Sequence, residues 1–171
     1  MLFKILYMEY GSVIWDPYQK KDIDRLERIQ RRAIRFIKQD NKTRDEGFIT
    51  TAAENLGLPT LESRRKSLRL ILLYKVVEGL VPGLPPNEFL SASKPKRTIK
   101  PKRYKDCETT NILDKQVKNN TKCFETIHAK SSQYKHSFFV DTVVRWNQLD
   151  EEVVSAKTVE AFKSALDVIC Q

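Results

Sequence analysis

The stretch PTLESRRKSLRLILLYKVVEGLVP, residues 59–82, predicts the helix around which the rest of the chain packs. Its ends carry helix-boundary signals. Thr60 can cap the amino terminus, and Glu62 lies in the first turn, where the positive end of the helix dipole favours a carboxylate. Gly79 suits the left-handed position after a helix, and Pro82 forbids continuation. We therefore expect a helix of about five turns between these punctuation residues.

The two halves of this helix differ in chemistry. From residue 68 onward, apolar side chains point in almost every direction around the axis, which predicts a helix surrounded by other elements. The first half carries Arg64, Arg65, Lys66 and Arg69. We expect these cations to form a solvated, strongly basic surface at the edge of the core. They are either a phosphate-binding surface or merely the solvated face of a scaffold helix, and the pattern alone does not separate the two readings.

The segment DPYQKKDIDRLERIQRRAIRFIK, residues 16–38, predicts a second helix. Asp16 is the expected cap, Pro17 the first helical residue and Gln19 the reciprocal capping residue. One arc of the helix is apolar and predicted to be buried: Ile23, Leu26, Ile29, Ala33, Ile34, Phe36 and Ile37. Six cations fill most of the opposite arc: Arg25, Arg28, Arg31, Arg32, Arg35 and Lys38. Asp24 and Glu27 are expected to offset only part of their charge.

Arginine dominates this basic arc, whereas an ordinary solvated face mixes both signs of charge and favours lysine and glutamate. The guanidinium group matches phosphate oxygens two at a time, so the arc favours contact with a nucleic-acid backbone over simple solvation. A basic amphipathic helix could also lie on a membrane or meet calmodulin. Packing of the apolar arc against the helix of residues 60–80 explains it better.

The remaining chain predicts a mainly α fold, a helical bundle with a basic Pro/Lys-rich connector and a C-terminal helical pair. Residues 1–80 form the expected helical module, which includes an apolar segment over residues 2–15 and a short helix over residues 48–56. Residues 81–134 are the expected connector, largely irregular, with five of the seven prolines and seven cations between Lys94 and Lys105. Residues 135–171 form the expected C-terminal helical segment, whose last helix Thr158 caps. Whether that segment packs on the first module is open.

Composition limits the function. The 171 residues carry a formal charge of +9 and a mean hydropathy of −0.50, with no apolar run of membrane-spanning length. Residues 60–106 hold twelve basic and four acidic side chains, whereas residues 137–171 hold three and six. This asymmetry predicts a polyanionic partner, most simply nucleic acid. No signal peptide is expected, and the three widely spaced cysteines indicate an intracellular, nuclear or cytoplasmic protein.

Motifs for catalysis are not found in the sequence. It contains no P-loop, dinucleotide-binding glycine motif, zinc-protease motif or nucleophile elbow. No pair of aspartates lies between strand-like runs, as two-metal nucleotidyl transfer needs. Cys107, Cys123, His128 and His136 lack the close cysteine pair of convincing zinc sites. We therefore expect no catalytic residue, no metal site, no cofactor and no enzymatic activity from this chain.

Three segments carry a family resemblance: MEYGSVIWDPYQKKDIDRLERIQRRAIRFI (8–37), LGLPTLESRRKSLRLILLYKVVEGLV (56–81) and KHSFFVDTVVRWNQLDEEVVSAKTVEAFKSAL (135–166). In this order they resemble the carboxy-terminal part of the reverse transcriptase of jockey-like non-LTR retrotransposons. The chain departs from the family at Val140 and Asp150, where proline is usual. The resemblance implies a fragment of an RNA-directed DNA polymerase, containing the thumb and the segment after it. The Y-x-D-D active site would lie upstream of Met1.

The resemblance and the residues lead to two hypotheses. The first is a truncated reverse transcriptase segment, derived from a transposable element, that binds the backbone of RNA or RNA–DNA duplex and lacks the catalytic palm. Its partners would be nucleic acid and the upstream polymerase domains, with no membrane. The expected binding residues are Arg25, Arg28, Arg31, Arg32, Arg35, Lys38, Arg64, Arg65 and Arg69. The second is a non-catalytic helical protein-interaction module whose basic faces meet acidic protein surfaces.

Overall fold

A computed structural model describes residues 10–39, 46–93 and 120–169, and this part of the chain is mainly helical. Its helices are α1 (Ser12–Trp15), α2 (Lys20–Ile37), α3 (Glu46–Asn55), α4 (Leu61–Val77), α5 (Pro86–Phe89), α6 (Ser132–Lys135), α7 (Phe138–Trp146), α8 (Glu151–Val154) and α9 (Val159–Ile169). No strand occurs within these residues, which form only an isolated antiparallel bridge between Ala92 and Phe124. The predicted mainly α fold class is confirmed.

Helix α4 is the central element, and its boundary signals act as predicted. The Thr60 hydroxyl accepts a hydrogen bond from the Ser63 amide at 3.1 Å. At the other end Gly79 has φ +69°, a left-handed conformation that ends the helix without the penalty a Cβ atom would bring. No residue between Leu61 and Val77 is classed as exposed. The prediction of a helix surrounded by other elements is therefore confirmed.

The main hydrophobic core joins α4 to the C-terminal helices. Leu73 and Val76 of α4 pack in one cluster with Trp146 of α7, Val154 of α8 and Phe162 of α9, all fully buried. The Phe162 ring stacks on Tyr74 with 4.5 Å between centroids. The segment after residue 135 therefore packs on the first module, which the sequence left open. Thr158 caps α9 as predicted, since its hydroxyl accepts from the Ala161 amide at 3.1 Å.

Helix α2 packs at the amino-terminal end of α4, and α3 packs on α2, through two smaller clusters. Ala33 of α2 is buried against Leu61, the first residue of α4. Ile34 is buried one position further, with Ile49 and Ala52 of α3. Because Ala33 and Ile34 lie about 100° apart on the helix, α2 contacts α3 and α4 with the two sides of one apolar arc. The predicted amphipathic helix is therefore present, and its inner face is the predicted one at these positions.

Residues 120–124 lie against the end of α7 and contain no helix or strand. The Asn120 amide nitrogen donates to the carbonyls of Trp146 and Leu149 at 3.0 and 2.9 Å. Asn147 exchanges two hydrogen bonds with the backbone of Phe124, at 3.0 and 2.9 Å. The Asn120 bonds satisfy carbonyls at the end of α7 and just after it, where helices lack internal partners, and the Asn147 bonds satisfy the backbone of Phe124.

Two sequence predictions differ from the structure here. Helix α2 begins at Lys20 with Gln19 as its cap residue, so the prediction that Asp16 caps it is wrong. Residues 81–93 are not an extended connector, because they contain α5 and place Leu90 in the main core. This part of the predicted connector is apolar enough to pack. The basic stretch 94–105 and the apolar segment of residues 2–9 lie outside the described residues.

Candidate nucleic-acid interface

The basic face of α2 comprises the six predicted cations, and the structure places most of them in solvent. Arg25, Arg28, Arg32 and Lys38 are exposed, while Arg31 and Arg35 are half-buried. At about 100° per residue, Arg28, Arg32 and Arg35 project within about 60° of one another. The three guanidinium groups therefore share one surface over two turns, about 10 Å along the axis.

Polar contacts on the opposite face of α2 hold the basic face outward. A Glu27 carboxylate oxygen accepts a hydrogen bond from the Glu62 amide at 2.8 Å, which caps the first turn of α4. One turn later the Gln30 side chain donates to the Pro59 carbonyl at 2.9 Å. Glu27 was expected to offset the charge of the basic face, but its carboxylate is engaged at the helix junction. Two side chains thus fix both the position and the rotation of α2.

Most cations of the basic face are free to meet an external anion. Asp22 pairs with Arg25 at 3.2 Å, and both side chains are largely exposed. No carboxylate among the described residues forms an ion pair with Arg28 or Arg32. Arg35 is half-buried, and its Nε atom, which has no hydrogen-bond acceptor in the described part of the chain, is buried and not open to an external anion. An unpaired guanidinium retains its donors for phosphate oxygens.

Arg65 and Arg69 do not belong to this interface. Their side chains are only 2% and 6% exposed, so the prediction of a solvated cationic surface is wrong for both. Arg65 Nε donates to Asp16 Oδ1 at 2.7 Å, and Arg69 Nη1 donates to Asp16 Oδ2 at 3.2 Å. Asp16 is the residue expected to cap α2. Both arginines are therefore buried ion-pair partners of one carboxylate and cannot reach a nucleic-acid backbone in this conformation.

The Asp16 carboxylate belongs to a longer chain of charges that connects distant segments. Arg69 also lies 3.5 Å from Asp141 of α7, which in turn pairs with Arg145 at 2.9 Å. The Arg69 Nη2 group donates to the His136 carbonyl at 3.1 Å. Three arginines and two aspartates therefore alternate and connect the residue after α1, helix α4 and helix α7. Their role is to hold these segments together.

A sequence signal for this burial existed. Leu61, Arg65, Arg69 and Leu73 follow one another at intervals of four, so the two arginines continue the apolar stripe of α4. The spacing alone does not tell whether such arginines lie at the edge of a core or inside it. They can be inside only if a carboxylate partner is present. That partner lies 49 residues upstream of Arg65. Arg64, the third predicted arginine of this helix, is half-buried.

The carboxyl-terminal end of α2 departs from the predicted apolar arc. Phe36 is 65% exposed and Ile37 is 43% exposed, although both were expected to be buried. Phe36 belongs to none of the hydrophobic clusters of the described residues. The buried centre of α2 lies at Gln30, Ala33 and Ile34, and Phe36 projects about 120° away from Gln30. It therefore lies at the margin of the basic face.

Shifted pKa values occur away from this surface. Burial raises the pKa of the Tyr74 hydroxyl, which donates to the Ala156 carbonyl at 2.7 Å. Hydrogen bonds from the Thr121 amide and hydroxyl lower the pKa of Glu151. Each shift is explained mainly by the group's own structural contact, burial for Tyr74 and the hydrogen bonds from Thr121 for Glu151.

The described residues contain neither a cluster of metal ligands nor a helix that could span a membrane. Within residues 10–39, 46–93 and 120–169, no group of three or more potential ligands could hold a metal ion. Of the weak zinc set, Cys123 is buried, His136 stacks on Tyr18, and Cys107 lies outside the described residues. No described helix combines the length and apolarity that crossing a bilayer needs.

The chain was compared with protein-family models, with curated proteins and with solved structures. None of the three comparisons found a match.

Proposed function

We propose that this chain binds the sugar–phosphate backbone of nucleic acid through the basic face of α2, as a thumb-like segment of a non-LTR retrotransposon reverse transcriptase. The ligand would be RNA or RNA–DNA duplex. The observation that supports this most is the set of Arg28, Arg32 and Arg35 on one outward surface, without ion-pair partners among the described residues. The family assignment rests on the resemblance of the three sequence segments.

The site proposed here is smaller than the predicted set of nine cations. Arg65 and Arg69 are excluded because they are buried and paired. Arg64 is half-buried and is not needed for the proposal. The exposed members Arg25, Arg28, Arg32 and Lys38 remain, with half-buried Arg31 and Arg35 beside them. A rigid helix that carries these cations positions phosphate contacts without sequence readout, because backbone contacts carry no base information.

Salt dependence of binding tests the proposal. Fluorescence anisotropy would measure the affinity for a labelled RNA–DNA hybrid at several salt concentrations, for the wild type and for the triple variant Arg28→Gln, Arg32→Gln, Arg35→Gln. Glutamine keeps the helix propensity and most of the side-chain length. Each lost phosphate contact should reduce the log–log salt slope by nearly one, so we expect a decrease of about two to three. Binding should weaken about equally for different sequences.

A charge-matched control separates a site from a general effect of net charge. Lys130, Lys157 and Lys163 are exposed and lie outside α2, and their replacement by Gln removes the same charge. This control should leave the salt slope close to that of the wild type. Equal slopes for the arginine variant and the wild type would refute the proposal. The cations between Lys94 and Lys105, which lie outside the described residues, would then be the better candidates.

The proposal assigns no catalysis to this chain. Two-metal polymerisation needs convergent carboxylates, and Asp16, Glu27 and Asp141 are engaged by arginines or by a backbone amide. We expect no primer extension by the purified protein with magnesium or manganese. Template-dependent incorporation above a protein-free blank would contradict this expectation.

A second candidate is the non-catalytic protein-interaction module. It is favoured by the exposure of Tyr10, just before α1, and of Ile14 within α1, which are 86% and 90% accessible. Apolar side chains do not recognise phosphate, so this surface would serve a protein partner. Nucleic-acid binding that is absent at low salt in the wild type would favour this candidate over the first.

A further inference from the structure

Phe36 is the exposed aromatic side chain at the carboxyl-terminal end of α2, and the packing of the helix does not use it. Its neighbours Ala33 and Ile34 are 3% and 2% exposed, whereas Phe36 is 65% exposed. Burial of a phenylalanine side chain contributes roughly 1.5–3 kcal/mol, and this side chain gains only a small part of it. Its ring face is therefore available to a ligand.

The position of Phe36 connects it to the cations already described. Arg32 precedes Phe36 by four residues, a spacing that places the two side chains next to each other on a helix. Arg25 and Arg28 continue the same surface toward the amino terminus. At about 100° per residue, Arg25, Arg32 and Phe36 fall within about 40° around the axis. An aromatic ring thus adjoins a row of guanidinium groups.

This combination has a specific chemical meaning. Guanidinium groups bind phosphates, while an aromatic ring stacks on the face of a nucleobase. Inside a duplex the faces of each base are covered by the neighbouring base pairs. An aromatic side chain beside the backbone can therefore stack on a base only where the strand is unpaired. The positive charge around Phe36 favours a polyanionic occupant over an apolar protein surface.

We propose that Phe36 is a stacking platform for an unpaired nucleobase of a strand whose phosphates lie along Arg25, Arg28 and Arg32. The proposal rests on the backbone-binding function above and extends it, because it assigns to α2 a preference for single strands or for single-stranded overhangs. The recognised element is the face of a base, so the preference is independent of sequence.

Paired probes test the stacking. Anisotropy would compare a labelled single-stranded 12-mer with a blunt hairpin duplex, for the wild type, Phe36→Ala and Phe36→Tyr. One lost base stack should weaken single-strand binding by about five- to a hundred-fold in Phe36→Ala, and leave duplex binding unchanged. Phe36→Tyr keeps the ring and should bind as the wild type. Ile37→Ala is the matched control, since it removes the adjacent exposed apolar side chain.

A fluorescent base provides a direct readout. The emission of 2-aminopurine within the single strand should change on binding to the wild type and not on binding to Phe36→Ala. Equal single-strand affinities of Phe36→Ala and the wild type would overturn the proposal, as would equal losses for single strand and duplex. A change of oligomeric state in Phe36→Ala with unchanged nucleic-acid binding would also overturn it, and would assign the ring to a protein contact.

The two proposals fail in different ways. If the arginine triple variant loses affinity and Phe36→Ala does not, the backbone site stands and the stacking platform is refuted. If the arginine variant binds both probes as the wild type does, the proposed function itself is refuted. The thermal melting of Phe36→Ala should match that of the wild type, because the side chain is exposed.

Discussion

Asp16→Asn should destabilise the protein strongly although it changes one side chain by only an atom. The wild-type carboxylate pairs with Arg65 at 2.7 Å and with Arg69 at 3.2 Å, and the side chains of these arginines are 2% and 6% exposed. Asparagine keeps the shape but removes the charge, which leaves a buried guanidinium without a counter-ion. Removal of one partner of a buried ion pair typically costs about 3–5 kcal/mol.

The lower end of that range is expected here. Asp16 retains 15% side-chain exposure, and Arg69 keeps a second carboxylate, Asp141, at 3.5 Å. We therefore expect a loss of about 3 kcal/mol in the free energy of unfolding, mainly through Arg65. With a urea m-value of about 2 kcal/mol/M, the midpoint should fall by about 1.5 M. Circular dichroism at the helix band would follow the transition.

Asp22→Asn is the matched control for this measurement. It makes the same chemical change in an ion pair of similar length, 3.2 Å to Arg25, whose side chains are 44% and 62% exposed. Exposed pairs contribute about 0–1 kcal/mol, so the midpoint should move little. A shift for Asp16→Asn no larger than that of the control would refute the account of a buried charge chain. The double variant Asp16→Asn, Arg65→Met should lose less unfolding free energy than the sum of the losses in the two single variants.

Three further predictions concern stability. Leu73→Asp should abolish cooperative unfolding, because Leu73 is 0% exposed and a carboxylate buried there lacks a partner. The neighbouring Leu72 is half-buried, so Leu72→Asp should lower the free energy of unfolding clearly less. Equal melting curves for the two variants would contradict the packing of α4. Thr60→Ala should remove the α4 cap and cost about 1 kcal/mol in urea unfolding, whereas Thr60→Ser should retain it. Hydrogen bonds from Thr121 lower the pKa of Glu151 in the folded protein. The ionised Glu151 carboxylate therefore contributes its whole stabilisation above the ordinary pKa of 4.5, and this stabilisation is lost as pH falls through the lower pKa of the folded state. Glu151→Gln should therefore melt below the wild type at pH 7 and equally with it near pH 2, and a difference that is the same at both pH values would exclude this linkage.

Local patterns in the sequence predicted the elements well where the deciding residues lie within a turn or two of each other. Thr60 and Gly79 bound the central helix because a cap hydroxyl and a left-handed glycine act on the adjacent backbone. The periodicity of α2 likewise placed Ala33 and Ile34 inside and Arg28 and Arg32 outside. These are the features from which the mainly α class and the candidate interface followed.

Patterns were insufficient where burial depends on a residue far along the chain. Arg65 and Arg69 looked like surface cations because a charge is normally solvated, yet they are buried where Asp16, 49 and 53 residues away, supplies the opposite charge. The Asp-Pro pair at 16–17 matched a capping signal equally well, so no local rule could assign the carboxylate to α4.

The same reason explains the ends of α2 and the C-terminal helices. Phe36 fits the apolar arc by periodicity, but only neighbouring elements cover a side chain, and among the described residues none packs on it. The aromatic residues of α7 required a partner surface, and tertiary structure supplied α4, with Trp146 fully buried in their shared core. The boundaries of a helix and the side of it that is apolar are local properties of the sequence. Whether a side chain on that helix ends in a core, in an ion pair or on a binding surface depends on contacts between distant segments.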